Sequence, residues 1–413
     1  MSAFVIKAPA SLSGVISLPT SKSISNRLLL LTALSGSDMT PDALSDSDDT
    51  RVMQEALRSD LTRVDVGAAG TSMRFLTAFL ATRPGTHVIT GSERMKKRPI
   101  GLLVDALREL GAKIDYLGEE GFPPLRIEGG SLTGGHLTLP GGISSQYISA
   151  LMMIGPTLRG GLTITLEGGV VSAPYINMTR RLMEAFGAEV AWAGGVLAVK
   201  EAPYVYQQMT VEADWSAASY WYAMVALRPG STVRLLGLGK RSTQGDSEGA
   251  AIASHLGVST TYQADGVTIS SDHAPDGGTF SYCFVNQPDL AQTYIVLCCL
   301  MGIKFCFSGL QSLRIKETDR IAALVAETRK LGFVIEAVGD DSIRWDGTRC
   351  QPSSDPISTY KDHRMAMSFA VASLAQDNVC IVDPDVVSKS YPSFWDDLRK
   401  AGFSISKKLQ TII

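Results

Sequence analysis

The chain has 413 residues, more than one hydrophobic core of ordinary size accommodates, so two domains are expected. Apolar residues make up 45% and charged residues 19%, which excludes a disordered chain and fits a well-packed one. The 38 basic and 41 acidic side chains leave a net charge of −3, which offers no general field for nucleic acid or an anionic membrane, so a local excess of Arg and Lys marks a site.

The first ten residues place Lys7 and Pro9 among their apolar neighbours, so no signal peptide is read there. Ala3 to Ser17 reads as an N-terminal strand. Leu18-Pro19-Thr20-Ser21-Lys22-Ser23-Ile24-Ser25-Asn26-Arg27 then runs into the apolar block Leu28 to Leu31. This is a helix entrance: Thr20 or Ser21 can cap, and the leucines drive the helix into a core. The unpaired first-turn N–H groups attract anions, and Lys22, Ser23, Asn26 and Arg27 add two cations and two hydrogen-bonding side chains to the same end. A capped helix with solvated Lys and Arg would look the same over these ten residues, and only the rest of the chain separates the two readings.

The rest repeats the construction. Amphipathic helices ending in apolar-Gly-apolar recur at Gly111, Gly187, Gly257, Gly332 and Gly402, at near-equal intervals, and a helix over Thr50 to Leu61 fills the same slot without the glycine. Glycine just past a helix suits the left-handed C′ position, and the residues after it suit a return to a sheet. Before each of these helices comes a more apolar one with a small, polar entrance: Ser21-Lys22-Ser23, Gly70-Thr71-Ser72, Ser144-Ser145-Gln146, Trp215-Ser216-Ala217, Pro288-Asp289-Leu290 and Asp362-His363-Arg364. The bodies that follow are apolar nearly all round, which marks buried helices. Six units of strands with one buried and one surface helix describe an α/β chain. Units one to three fall in a domain over residues 20–213; units four to six, with the N-terminal strand, fall in a second made of residues 1–19 and 214–413.

Chemistry concentrates at a few of these entrances. Arg314-Ile315-Lys316-Glu317-Thr318-Asp319-Arg320 opens a helix over Ile321 to Leu331. It is either a solvated helix start laced with i,i+3 and i,i+4 pairs, or a place where Lys316 and Arg320 bind anions while Glu317 transfers a proton. In Asp362-His363-Arg364, no second His stands at ligand spacing and no Cys is near, so a metal site is not expected. Arg98 precedes Pro99, which holds it extended and lets it point inward. Gly67-Ala68-Ala69-Gly70-Thr71 is a small-residue approach that lets backbone come close to a ligand. Neither GxxxxGK[ST] nor GxGxxG occurs, so nucleotide binding has little support. The longest apolar run, Tyr294 to Ile303, falls well short of the roughly 20 residues of a spanning helix. The cysteines at 283, 298, 299, 306, 350 and 380 lack CxxC spacing and read as reduced core residues of a cytoplasmic protein.

Taken together, Leu18 to Arg27, Ala69-Gly70-Thr71-Ser72-Met73-Arg74, Arg314 to Arg320, Asp362-His363-Arg364-Met365-Ala366-Met367 and Lys389-Ser390-Tyr391-Pro392 resemble the 5-enolpyruvylshikimate-3-phosphate synthase family, over the whole chain and in order. The resemblance implies two domains, each of three repeated α/β units in the inside-out barrel of the enolpyruvyl transferases, closing over the substrates. It implies transfer of the enolpyruvyl group of phosphoenolpyruvate to the 5-hydroxyl of shikimate 3-phosphate, with release of phosphate and with no metal or organic cofactor. Lys22, Ser23, Arg27, Ser144, Ser145, Gln146, Ser172, Asp289, Ser312 and Lys316 would hold shikimate phosphate, with Tyr175 packed on its ring. Lys22, Gly70, Arg98, Gln146, Arg320, Arg364 and Lys389 would hold phosphoenolpyruvate. Asp289 and Glu317, with Lys22, would be catalytic, and His363 would support them. A cytoplasmic monomer with small-molecule substrates is expected.

Three positions depart from the family pattern: Ala68 stands for an Asn, Phe75 for a Pro, and Ser312 for an Asn. These bear on affinity more than on activity, because the cations and both carboxylates remain. The rivals are a non-catalytic anion-binding paralogue and the UDP-N-acetylglucosamine enolpyruvyl transferase. The first would lack Lys22, Asp289 or Glu317, and the second typically uses a loop Cys, whereas no Cys precedes residue 283.

Overall fold

The computed structural model describes residues 2–272, 275 and 277–409. Twelve α-helices lie among them: α1 Lys22–Leu34, α2 Asp48–Arg58, α3 Gly70–Ala81, α4 Gly101–Glu109, α5 Ser145–Ile154, α6 Ala173–Ala185, α7 Trp215–Ala226, α8 Gly249–Ser254, α9 Ala291–Met301, α10 Arg320–Lys330, α11 His363–Ala370 and α12 Phe394–Lys400. The odd-numbered helices are the apolar ones, and nearly all their residues are buried. Full burial of a Leu such as Leu28, Leu30 or Leu31 contributes about 1.5–3 kcal/mol, so these helices run through the two cores, which the strands and the inner faces of the surface helices complete.

The surface helices α4, α6, α8, α10 and α12 stop as the glycine pattern requires. Gly111, Gly187, Gly257, Gly332 and Gly402 all have φ between 87° and 98°. After four of them the next N–H reaches back five residues to a helix carbonyl, as Ala112 does to Leu107 and Phe333 to Thr328. The helix expected over 50–61 runs instead over 48–58. Asp48 and Asp49 favour the positive N-terminal end, and the Ser59 hydroxyl donates to the Ala56 carbonyl to close the other.

Contacts divide the chain into two compact units. One, Ser21–Val211, carries α1–α6 and two four-stranded sheets. In the sheet of strands 133–140, 159–167, 190–193 and 196–199, the first two strands are parallel, and the fourth lies between the second and third, antiparallel to both. Strands 63–65, 85–90, 113–116 and 125–129 repeat this order. The α1–α2 segment has no regular sheet of its own among the described residues, only the bridge Asp42–Thr210, so one of the six expected units is reduced to its helices.

The other unit, Met1–Thr20 with Glu212–Ile413, carries α7–α12 and three sheets. Strands 280–283, 305–308, 336–338 and 342–345 again follow the first-second-fourth-third order. The N-terminal segment is two strands rather than one. Ser13–Ser17 adds as the first strand beside 232–236, while Ser2–Lys7 takes the fourth place between 379–382 and 404–409. Pro9, which has no N–H to give a ladder, separates them. The cysteine expectation is half wrong. Cys298, Cys299 and Cys380 are buried, but Cys283 and Cys306 are exposed on neighbouring strands and Cys350 is half-buried; all six are free.

Candidate active site

In the Ser21–Val211 unit the expected residues gather at the N-terminal ends of α1, α3, α5 and α6. Ser21 occupies the N-cap of α1, but its side chain accepts no capping bond and its buried hydroxyl has no partner among the described residues. Thr20 is no cap either, since it bridges to Ala213. Lys22 lies 3.2 Å from Asp49, a buried carboxylate that the sequence reading passed over.

Arg27 is 2% exposed. Its Nε donates to the Thr179 hydroxyl (2.7 Å), Nη1 to the Ser23 carbonyl (2.9 Å) and Nη2 to the Ser149 hydroxyl (3.2 Å). Its guanidinium lies 5.3 Å from the centre of the Phe75 ring, which gives that departure a place. No carboxylate among the described residues pairs with it. Burial pushes its pKa down to about 10, with a smaller opposing influence from Tyr175.

Arg98 is extended (φ −97°, ψ 126°) and buried, as expected of a residue before Pro99. Arg74 Nη2 (2.8 Å) and the Tyr147 hydroxyl both donate to the Pro99 carbonyl, tying this loop to α3 and α5. The Arg98 guanidinium rests against Gly70: a Cβ there would stand 2.5 Å from Nη1, so glycine is what admits it. Gln146 donates to the Thr71 hydroxyl at 3.2 Å, and Ser144 caps α5 by accepting from the Gln146 N–H. Ser145 is buried there. Ser172 is buried at the start of α6 in a left-handed conformation (φ 56°) that a non-glycine residue rarely adopts, with Tyr175 half-buried one turn on. Ala68 is exposed on the approach to α3.

In the other unit a denser cluster forms before α9, α10 and α11. Asp289 receives Arg364 Nη2 on Oδ2 (2.9 Å), and Arg320 Nη1 (3.2 Å) and Lys316 Nζ (3.7 Å) on Oδ1. Glu317 receives Arg320 Nη2 on Oε2 (2.9 Å) and Lys389 Nζ on Oε1 (2.8 Å). Arg320 also grips Asp362, with Nε 2.7 Å from Oδ2 and Nη2 3.3 Å from Oδ1. Burial acts to lower the Arg320 pKa, but Asp362, Glu317 and Asp289 outweigh it and hold the guanidinium charged. Asp362 caps α11 by accepting from the Arg364 N–H (2.9 Å). His363 is buried beside it, Nδ1 3.6 Å from Asp362 Oδ1. Ser312 stands on a 3-10 turn, Gln311–Ile315, ahead of Lys316. Arg314 faces elsewhere, donating to the Gly339 and Asp340 carbonyls. The solvated-helix reading holds for Arg314, while Lys316, Glu317 and Arg320 are drawn into ion pairs with Asp289, Lys389 and Asp362.

Asp246 belongs to this cluster and was missed. It accepts a short hydrogen bond from Ser216, whose hydroxyl also lies 3.4 Å from Arg364. Asp246 is fully enclosed, and its Oδ1 has no partner among the described residues. Burial first, then Asp289 and Asp214, raise its pKa to about 7, against Arg364 and Ser216. No local pattern distinguishes Asp246; it reaches Ser216 because Gln244 ties the segment to α7, accepting from the Trp215 N–H and donating to the Ala213 carbonyl. The unfolded chain releases this proton near the ordinary 3.8 and the folded chain keeps it to about 7, so stability falls as pH rises through that window and the penalty is complete above it. Asp246→Asn is therefore expected to raise Tm at pH 8, with the gap over the parent narrowing toward pH 5. An equal or lower Tm at pH 8 would show that Asp246 is held ionised by Arg364.

Among the described residues no three His, Cys, Asp or Glu side chains are grouped to hold a metal ion, and no helix is long and apolar enough to cross a membrane. Repeated βαβαββ units, with cations converging at helix entrances on two carboxylates, define an α/β enzyme that handles anionic substrates. Solved structures of EPSP synthase from Acinetobacter baumannii share the fold: one has a TM-score of 0.78 at 22% identity, covering 99% of this chain and 100% of that one. The sequence model of EPSP synthase (3-phosphoshikimate 1-carboxyvinyltransferase) matches residues 6–62 and 59–398. The 3-phosphoshikimate 1-carboxyvinyltransferase of Bacteroides fragilis is 52% identical over 408 residues, 97% of this chain and 98% of that protein. That of Citrobacter koseri is 37% identical over 429 residues, 97% of this chain and 99% of that protein. The chain belongs to the EPSP synthase family.

Proposed function

We propose that this chain performs the family reaction with its own residues in the following roles. It is a transferase of the shikimate pathway to chorismate and the aromatic amino acids: the 5-hydroxyl of shikimate 3-phosphate adds to C2 of phosphoenolpyruvate, C3 takes a proton, and the tetrahedral adduct loses phosphate and that proton to leave an enol ether. Lys22, Ser23, Arg27, Ser144, Ser145, Gln146, Ser172, Ser312 and Lys316 hold shikimate 3-phosphate, and Tyr175 packs on its ring. Lys22, Gly70, Arg98, Gln146, Arg320, Arg364 and Lys389 hold phosphoenolpyruvate. Asp289 orients the 5-hydroxyl and takes its proton, Glu317 moves the proton at C3, and His363 supports Asp362. The reading goes with a cytoplasmic monomer that needs neither metal nor organic cofactor.

The observation that carries it is the convergence of Lys316, Arg320, Arg364 and Lys389 on Asp289 and Glu317. Two substrates that each carry a phosphate and a carboxylate require fixed cations in place before they meet, and addition-elimination requires two groups that exchange protons. Phosphate release measured with both substrates tests it. Release should require both together and should fail with UDP-N-acetylglucosamine as acceptor. No release with both would leave a non-catalytic anion-binding paralogue.

A further inference from the structure

We propose that Glu327 and Tyr360 are positioning residues, which fix the turn Ser358–Lys361 so that Asp362 and Arg364 stand where the phosphoenolpyruvate site needs them. This rests on the assignment of Arg320 and Arg364 to that substrate. Glu327 has no exposed surface, yet its carboxylate is fully used. Oε2 accepts from the Ser358 N–H (3.0 Å) and pairs with Lys330 (2.8 Å), and Oε1 accepts from the Tyr360 hydroxyl (2.7 Å). Lys330 also donates to the Pro356 carbonyl at 2.9 Å. Burial, then the bond to Glu327 and its charge, push the Tyr360 hydroxyl up to about 12, which keeps it a donor.

The turn needs such a hold. Tyr360 and Lys361 are consecutive non-glycine residues in the left-handed region, at φ 53° and 58°, a conformation that L side chains disfavour and that persists only where surrounding contacts impose it. The reversal is closed by the Asp362 N–H donating to the Thr359 carbonyl (2.8 Å), and at the next residues Asp362 caps α11 and grips Arg320. Arg320 and Glu327 lie seven residues apart on α10, on one face and about 10.5 Å apart along the axis. One rigid helix therefore holds the segment at two points, Glu327 at 358 and 360 and Arg320 at 362. If the first hold slips, Tyr360 and Lys361 relax toward negative φ and the start of α11 turns away from Asp289.

Steady-state kinetics and Tm on Tyr360→Phe, Glu327→Gln, Tyr360→Phe with Lys361→Gly, and Arg364→Ala test this. Tyr360 is 42% exposed, so Tyr360→Phe keeps the fold and carries the test even where Glu327→Gln does not fold. Tyr360→Phe should raise KM for phosphoenolpyruvate by about three- to tenfold, the range of one lost hydrogen bond, with KM for shikimate 3-phosphate within about twofold. Lys361→Gly should return at least half of that change, because glycine takes the left-handed conformation unaided. A rise in both KM values together with a fall in Tm and no rescue by glycine would show a structural role only and overturn the proposal. So would unchanged KM in Tyr360→Phe alongside a raised KM in Arg364→Ala. If Arg364→Ala itself leaves KM for phosphoenolpyruvate unchanged, the site assignment falls and the proposal with it.

Discussion

Glu317→Gln is expected to lower kcat by about 10²–10⁴ while KM for shikimate 3-phosphate stays within a few-fold, the signature of lost proton transfer. Each oxygen of Glu317 is held by a different cation, Arg320 and Lys389, and both of those cations are assigned to phosphoenolpyruvate. Before substrate arrives both cations are occupied by this carboxylate. The phosphate and carboxylate of the substrate compete for the same cations, which frees Glu317 from these pairs at the moment a proton must move. Asp289 is held differently, by Arg364 on one oxygen and by Arg320 and Lys316 on the other, and Lys316 is assigned to shikimate 3-phosphate. Asp289→Asn should therefore lower kcat comparably, by impairing the 5-hydroxyl. The two are told apart by supplying the tetrahedral intermediate in deuterated water. Glu317→Gln should suppress exchange at C3 and Asp289→Asn should preserve it; the opposite pattern would reverse the two roles.

The second large effect belongs to Arg27. A buried guanidinium that, among the described residues, donates to hydroxyls and a carbonyl and pairs with no carboxylate has surrendered its hydration without a counter-charge, and an anion restores the balance. Arg27→Gln should weaken binding of shikimate 3-phosphate by the 2–5 kcal/mol typical of a truncated buried charge pair, about 30- to several thousand-fold, measured by calorimetry. The ligand-free protein should hold or raise its Tm, because an uncompensated charge has left the interior, while the rise in Tm on adding shikimate 3-phosphate should disappear. A strongly destabilised variant that binds the ligand normally would make Arg27 a strut between Ser149 and Thr179 instead.

Much of the site was legible because its chemistry sits at helix entrances, where capping and polarity leave local marks. Asp362 caps α11, Asp319 caps α10 by accepting from the Ala322 N–H, and Ser144 caps α5. Arg98 was readable from the proline after it. The partners of these residues were not readable. Asp49 opposite Lys22, Asp246 opposite Ser216 and Glu327 beneath Tyr360 come from 27 to 33 residues away, and nothing in their own neighbourhoods distinguishes them from surface carboxylates.

By itself the sequence determined the alternation of buried and surface helices and the stops between them. Apolar periodicity and the steric freedom of glycine act within a single turn of chain, whatever lies beyond it. Only the tertiary structure decided that residues 2–7 and 13–17 serve two separate sheets, that the α1–α2 segment builds none among the described residues, and that Arg314 turns to the Gly339 and Asp340 carbonyls while Asp246 joins Ser216 beside Arg364. Strand partners and buried ion pairs are settled by which distant segments can satisfy a backbone edge or a charge removed from water. That energy depends on the assembled neighbours and not on the residues alongside in the chain.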